Sequence, residues 1–281
     1  MPEPLRIATV PYLNGRPLVY GLAEREDVVL AEAPPSALGG LLRRGEADAA
    51  LLPSIEYFRL AAEGGERARG GSAAGVVALP VAAIGSRGAV GSVRLFGYAA
   101  PPRVRRVRLD AESRTSNVLA RLVVSRAMNL APHFAMPEEG GPGARPPDAE
   151  VMIGDRALAA APEAAEWVMD LGEAWEHLVR LPFVYAFWTA RTDADLARLV
   201  AVLTAARDAG LAARAAIADA AADDLGLSAE TLRTYLSEMV RYAFGRREQK
   251  GLVAFYRMAV AEGLAPAGSR LRVVEGGSRR E

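Results

Sequence analysis

Four short polar segments carry the side chains that could do chemistry in this chain. They are Tyr12-Leu13-Asn14-Gly15-Arg16, Gly85-Ser86-Arg87-Gly88 with Ser92 just after it, Ser113-Arg114-Thr115-Ser116, and Gly154-Asp155. The third is the most informative. Three hydroxyls and a guanidinium cluster at the first turn of a predicted helix, where unpaired N–H groups and the positive dipole end favour an anion. A cap needs one such hydroxyl and is worth about 1 kcal/mol; three plus an arginine exceed that need. In the first segment Gly15 and Pro17 suit a tight turn and a first helical position. The fold alone does not require Asn14.

Other candidates have plainer accounts. Gly85, Gly88 and Gly91 follow a GxxGxxG spacing, which is not the dinucleotide fingerprint. A flexible crossing between lobes explains those glycines, and Ser92 is the better ligand candidate. Asp155 ends an apolar strand, so it is a helix cap or an acid/base group, the cap being the more frequent outcome. Glu56 is similar. Neither His133 nor His177 neighbours a Ser–Asp pair of triad type. Residues 223–239 resemble the turn and second helix of a helix-turn-helix, but Glu230 and Glu238 against Arg233 suit a phosphate-lined groove poorly. A plain αα-hairpin is expected.

Composition narrows the function classes. Lys plus Arg and Asp plus Glu number 34 each, so the basic excess used for broad nucleic-acid or anionic-membrane binding is missing. Cysteine is absent and histidine occurs twice, which removes thiol chemistry and leaves no credible zinc cluster. Neither a signal-peptide pattern nor an apolar run of ~20 residues is visible. A soluble, cytoplasmic protein without nucleic-acid or membrane partners is expected.

The elements that must position these segments alternate along the first half. Strands are expected at residues 6–10, 28–33 and 48–52, with helices beginning at Pro17, after Pro34-Pro35-Ser36, and at Ser54. The run 64–75 reads as a glycine-rich surface loop and 137–147 as a polar connection. Strands follow at 81–86, 92–98 and 151–153, with a helix from Ser113 through Met128. FVYAFWTAR, from Phe183, reads as one long apolar strand. Helices continue from Asp193, and the stretch from Ser269 reads as a frayed tail. At 281 residues the chain can hold two core-bearing lobes, and strand–helix alternation with short connections gives parallel sheets covered by helices. The chain would cross twice, giving lobe I from 1–91 and 189–281 and lobe II from 92–188. Ligands in such folds bind at the carboxyl ends of strands, between lobes.

VPYLNGRPLVYGL, ADAALLPSIEYF, IGSRGAVGSVRLF, LDAESRTS, MIGDRAL, DLGEAW, LPFVYAFW and RYAFGRREQKGLVAFY occur in that order. Together they resemble the chorismate dehydratase family of the futalosine route to menaquinone, from Arg6 to about Gly263. A sister family, 1,4-dihydroxy-6-naphthoate synthase, shares the fold and some motifs; YLN and LDAESRTS match the dehydratase better. The resemblance implies an α/β fold like type II periplasmic binding proteins, each lobe a mixed, mainly parallel sheet flanked by helices, with the ligand cleft between them. It implies loss of water from chorismate, a dicarboxylate, to give 3-[(1-carboxyvinyl)oxy]benzoate, with no cofactor or metal. It points to an asparagine in the YLN turn and a serine after the GxV crossing, which fall on Asn14 and Ser92, with Ser86 a second candidate. Where the family often reads GPV this chain has Gly88-Ala89-Val90. Tyr12, Arg16, Ser113, Arg114, Thr115, Ser116 and Asp155 are the expected substrate contacts. A solute-binding protein of the same fold is the rival from another class.

Overall fold

The computed structural model describes residues 3–67, 75–137 and 146–275. Ten strands form two five-stranded sheets. The first holds β1 (Leu5–Thr9), β2 (Val28–Glu32), β3 (Ala49–Pro53), β4 (Val76–Ser86) and β10 (Phe183–Arg191). The second holds β5 (Val93–Gly97), β6 (Arg106–Arg108), β7 (His133–Ala135), β8 (Ala149–Ile153) and β9 (Trp167–Asp170). Their orders are β2-β1-β3-β10-β4 and β7-β6-β8-β5-β9. In each, three strands run parallel and a fourth pairs antiparallel to its neighbours: β10 against β3 and β4, β5 against β8 and β9.

Burial explains the apolar strands. Every residue of β3 and all but the last of β10 are buried, as continuous apolar runs covered on both faces must be. Helices α1 (Pro35–Arg44) and α2 (Ser54–Arg67) flank the first sheet, and α3 (Thr115–Arg126), α4 (Gly154–Ala159) and α5 (Leu171–Val179) follow strands of the second. After β10 the chain is helical: α6 (Leu196–Ala212), α7 (Arg214–Leu225), α8 (Ala229–Thr234), a π-helical turn (Tyr235–Met239) and α9 (Arg246–Ala261). Residues 223–239 therefore do form a helical hairpin, packed into the first lobe's core through Leu232, Tyr235 and Leu236.

The first crossing lies between Ser86 and Val93, as the sequence suggests. The Asp170 carboxylate fixes it, accepting N–H bonds from Val90 and Gly91 (2.6–3.1 Å) as well as capping α5 through Gly172 and Glu173. Behind it Trp175, Phe183 and Phe255 meet edge to face, with centroids 5.0–6.0 Å apart, a geometry aromatic rings favour.

Four expectations change. β10 belongs as a whole to the first sheet, so a lobe boundary at residue 189 would cut it; sheet membership moves that boundary ahead of Phe183. The turn after β1 is itself a 3-10 helix, Leu13–Leu18, rather than a loop before a helix at residue 17. Helix α2 continues through Gly64 to Arg67, where a glycine-rich loop was expected, and residues 68–74, like 138–145, lie outside the described residues. As far as residue 275 the C-terminal stretch is docked rather than frayed, residues 276–281 lying outside the described residues. Val274 N–H donates to Ala78 O (2.9 Å), Ala78 N–H to Arg272 O (2.8 Å), and Arg272 N–H to the Tyr57 hydroxyl (2.8 Å).

Candidate functional site

A cleft of about 560 Å³, counted to its open mouth, lies between the sheets. The ends of β3 and β4 and the start of β10 reach it through Pro53, Ile84, Tyr185 and Ala186; from the second sheet come Val93, Ile153 and Gly154. Because β10 and β5 run against their sheets, their starts lie at the same edge as the carboxyl ends of the parallel strands. Ligands in open α/β sheets bind at that edge. Of the residues singled out from sequence, Tyr12, Asn14, Ser92, Ser113, Arg114, Thr115 and Ser116 line the cleft. Ser86, Asp155 and Arg16 do not.

The first wall is the 3-10 helix after β1. Its Leu13 N–H, unpaired within the helix, donates to both oxygens of Asp155 at 3.1 Å. Asp155 is thus a cap, but for the helix on the opposite lobe rather than for its own. Burial pushes its pKa up, while the Leu13 N–H and the nearby Arg16 charge pull it down. The Tyr12 ring lies against Gly154, where a Cβ would sit 3.0 Å from the ring and the φ of +66° also favours glycine. The Tyr12 hydroxyl bonds to Glu112, across the cleft. Burial and that carboxylate push its pKa up.

Asn14 sits deeper, 8% exposed. Its Nδ2 donates to the Tyr235 hydroxyl at 3.0 Å, and its backbone carbonyl accepts from the Tyr242 hydroxyl at 3.1 Å. Its Oδ1 is buried without a protein partner among the described residues, an uncommon state for a buried acceptor. Ser92, 1% exposed, immediately precedes β5, and its Oγ accepts from the same Tyr235 hydroxyl at 2.8 Å. Two residues 78 apart in sequence therefore converge on one phenol. Ser86 lies behind the wall, with its Oγ 3.1 Å from the hydroxyl of cleft-lining Tyr185. Gly172 closes that packing: a Cβ there would come within 2.6 Å of both oxygens.

The second wall is the start of α3. Ser113 Oγ accepts the Ser116 N–H at 3.1 Å and so acts as the cap. Thr115 Oγ1 accepts the Ile55 N–H at 3.2 Å, reaching across to the start of α2. Ser116 and Arg114 also line the cleft, and Arg114 lies 3.7 Å from Glu56. Glu56 is also paired with Arg59 at 2.7 Å. Asn117 holds the loop ahead of the helix by bonding both N–H and C=O of Asp110 (3.0 and 2.8 Å). All three hydroxyl residues line the cleft; Ser113 also caps the helix and Thr115 also ties the two lobes.

Both histidines are remote from this wall. His133 is exposed on β7, and the exposed His177 bonds back to the Glu173 carbonyl. Among the described residues no cluster of His, Cys, Asp or Glu could hold a metal, and no helix is long and apolar enough to cross a membrane. Tyr185 and Tyr235 escaped the sequence reading. Tyr185 lies inside the LPFVYAFW motif, and Tyr235 inside the segment weighed as a helix-turn-helix. The one local hint at Tyr235 was a phenol on the same helical face as Leu232 and Leu236, where a buried hydroxyl must find a partner.

The architecture recurs in solved structures. A protein of Archaeoglobus fulgidus superposes with a TM-score of 0.66 at 16% identity, covering 92% of this chain and 98% of its own. The periplasmic aliphatic sulphonate binding protein of Escherichia coli does so at 0.62 and 18% identity, over 100% and 96%. A Candida albicans protein described as having the generic periplasmic binding protein fold gives 0.61 at 13%, over 95% and 92%. At such identities these fix the fold: two-lobed, periplasmic-binding-protein-like. In sequence, the chorismate dehydratase of Thermus thermophilus is 31% identical over 261 residues, 87% of this chain and 91% of that protein. The profile described as menaquinone biosynthesis matches residues 5–261, and with nearly the whole described chain inside that match, this protein belongs to the menaquinone biosynthesis family.

Proposed function

We propose that the protein is a chorismate dehydratase, converting chorismate to 3-[(1-carboxyvinyl)oxy]benzoate and water. The observation that carries this reading is the convergence of Asn14 and Ser92 on one buried hydroxyl, facing a helix start that presents Ser116 and Arg114. Chorismate has two carboxylates, and the α3 start suits one of them: its first N–H groups lack intrahelical acceptors, and Arg114 adds charge.

The C3–H bond breaks first. Its electrons delocalise through the ring diene toward the ring carboxylate, where N–H and hydroxyl donors stabilise the developing charge. The C4–O bond then breaks, the C3–C4 bond becomes double, and the ring is aromatic. Asn14 and Ser92 orient the departing hydroxyl. Asp155 and Glu56 are poor bases here: one holds the Leu13 N–H with both oxygens, the other is paired with Arg59 and Arg114. The substrate's own enolpyruvyl carboxylate takes the proton, and the protein's task is to hold it in position.

Incubating purified protein with chorismate and following the aromatic product by chromatography and mass tests the assignment. Product formation that drops sharply in Asn14→Ala and Ser92→Ala supports it. Chorismate bound but unchanged would sink it in favour of a solute-binding protein. No turnover of chorismate, with formation of a dihydroxynaphthoate from its own precursor, would favour the sister enzyme.

A further inference from the structure

Tyr235 does not line the cleft and cannot touch a ligand directly: it is fully buried, yet it joins the two residues on which the reaction is proposed to depend. Its oxygen accepts from Asn14 Nδ2 at 3.0 Å, and its hydroxyl donates to Ser92 Oγ at 2.8 Å. A hydroxyl has one proton and two lone pairs, so the arrangement has a direction, amide N–H to phenol O–H to serine oxygen. Ser92, accepting from the phenol, keeps its own proton for the cleft. Asn14, with one N–H on the phenol, keeps its unpartnered Oδ1. Burial pushes the phenol's pKa up, which keeps that proton in place.

The backbone around Tyr235 fits this task. It opens a π-helical turn closed by Val240 N–H to Tyr235 O at 3.0 Å, an irregularity found mostly where a helix serves a functional site. The next residues are pinned to the end of β4 by reciprocal bonds between Arg241 and Gly85 (2.8 and 2.9 Å). The phenol is thus held at the junction of the lobes by the C-terminal helices, while Asn14 and Ser92 come from the two sides.

We propose that Tyr235 is a positioning residue for the dehydration: it orients the Ser92 hydroxyl as hydrogen-bond donor to the departing C4 oxygen of the substrate and fixes the Asn14 amide beside it. This rests on the chorismate dehydratase reading. The test compares parental protein, Tyr235→Phe, Ser92→Ala and the double variant with chorismate. Phe keeps the ring and removes one oxygen, so the core stays packed. The expected result is kcat about tenfold lower for Tyr235→Phe, the worth of roughly one hydrogen bond, with KM little changed and the fold kept, at a lower melting temperature because Asn14 Nδ2 and Ser92 Oγ each lose a buried partner. Adding Tyr235→Phe to Ser92→Ala should lower kcat by clearly less than it does in the parental protein, because the share that acts through Ser92 is already gone and only the hold on Asn14 remains to be lost. Parental kcat in Tyr235→Phe overturns the role, as does the full loss appearing again in the Ser92→Ala background. A parental protein that leaves chorismate unchanged overturns the enzyme assignment itself, an outcome separate from either.

Discussion

The two sheets share one plan, yet their walls of the cleft are built differently. Each has three parallel strands and a returning antiparallel strand in fourth place. On the first, Asn14 is gripped by two tyrosines of the C-terminal part, Tyr235 of the π-helical turn on its amide and Tyr242 of the connection after it on its carbonyl. On the second, the α3 start offers donors held by short-range bonds, Ser116 to Ser113 and Asn117 to Asp110. The first wall places a few groups rigidly, as bond-breaking needs. On the proposed reading the α3 start is the anion grip, while the groups that orient the departing hydroxyl meet at the first wall, with Ser92 joining them from the head of β5.

That division can be broken from either side. The largest effect is expected at Asn14→Ala, which should lower kcat by about 10²–10³-fold, the range for losing one preorganised polar group; steady-state kinetics on chorismate will show whether the loss lies in kcat. Arg114→Ala should do the opposite, raising KM about tenfold through loss of a charge-assisted contact while kcat stays within a few-fold. If both variants changed kcat alone, the contrast between walls would disappear. Thr115→Val tests the joint between them. It leaves the buried Ile55 N–H without its acceptor, so urea unfolding should show about 1–3 kcal/mol lost.

The smallest effect is expected at Asp155→Asn, which still offers an oxygen to the Leu13 N–H. Its carboxyl pKa is raised in the folded state. Folded protein therefore holds that proton more tightly than unfolded chain, and the parental stability contributed there is lost as pH rises through the raised pKa. The variant lacks this dependence. Its melting temperature relative to the parent should rise as pH climbs above the ordinary Asp range near 4 and level off once the carboxyl has ionised. A relative melting temperature that fell over that interval would refute the direction of the shift. Its kcat should stay within about threefold, since in the proposed mechanism the substrate's own carboxylate, not Asp155, takes the proton.

Much of the scaffold was legible because it is local. The β10 strand announces itself as an apolar run after Pro182, and the first crossing as closely spaced glycines. The hydroxyl cluster at Ser113 to Ser116 marked a helix start that does line the cleft, though the roles of its oxygens depend on Ile55, 60 residues away. Tyr235 was illegible for the same reason. Its partners stand 221 and 143 residues away, and no helical period encodes such meetings. The lobe boundary slipped because a strand's apolar pattern does not say which sheet takes it. Asp155 was expected as a cap for its own following helix or as a substrate contact; instead it takes the Leu13 N–H of the other lobe, a partner 142 residues away that no local pattern encodes.

The docked C-terminal stretch has one more consequence. β4 is the last strand of its sheet, and an open strand edge is a template for pairing with another molecule. Residues 272–274 lie along part of that edge, with Val273 bridged to Ala78. Residues 272–274 thus cover backbone that would otherwise stand open to a second molecule. A chain cut before Ser269 should be a stickier protein, with light scattering that grows with concentration.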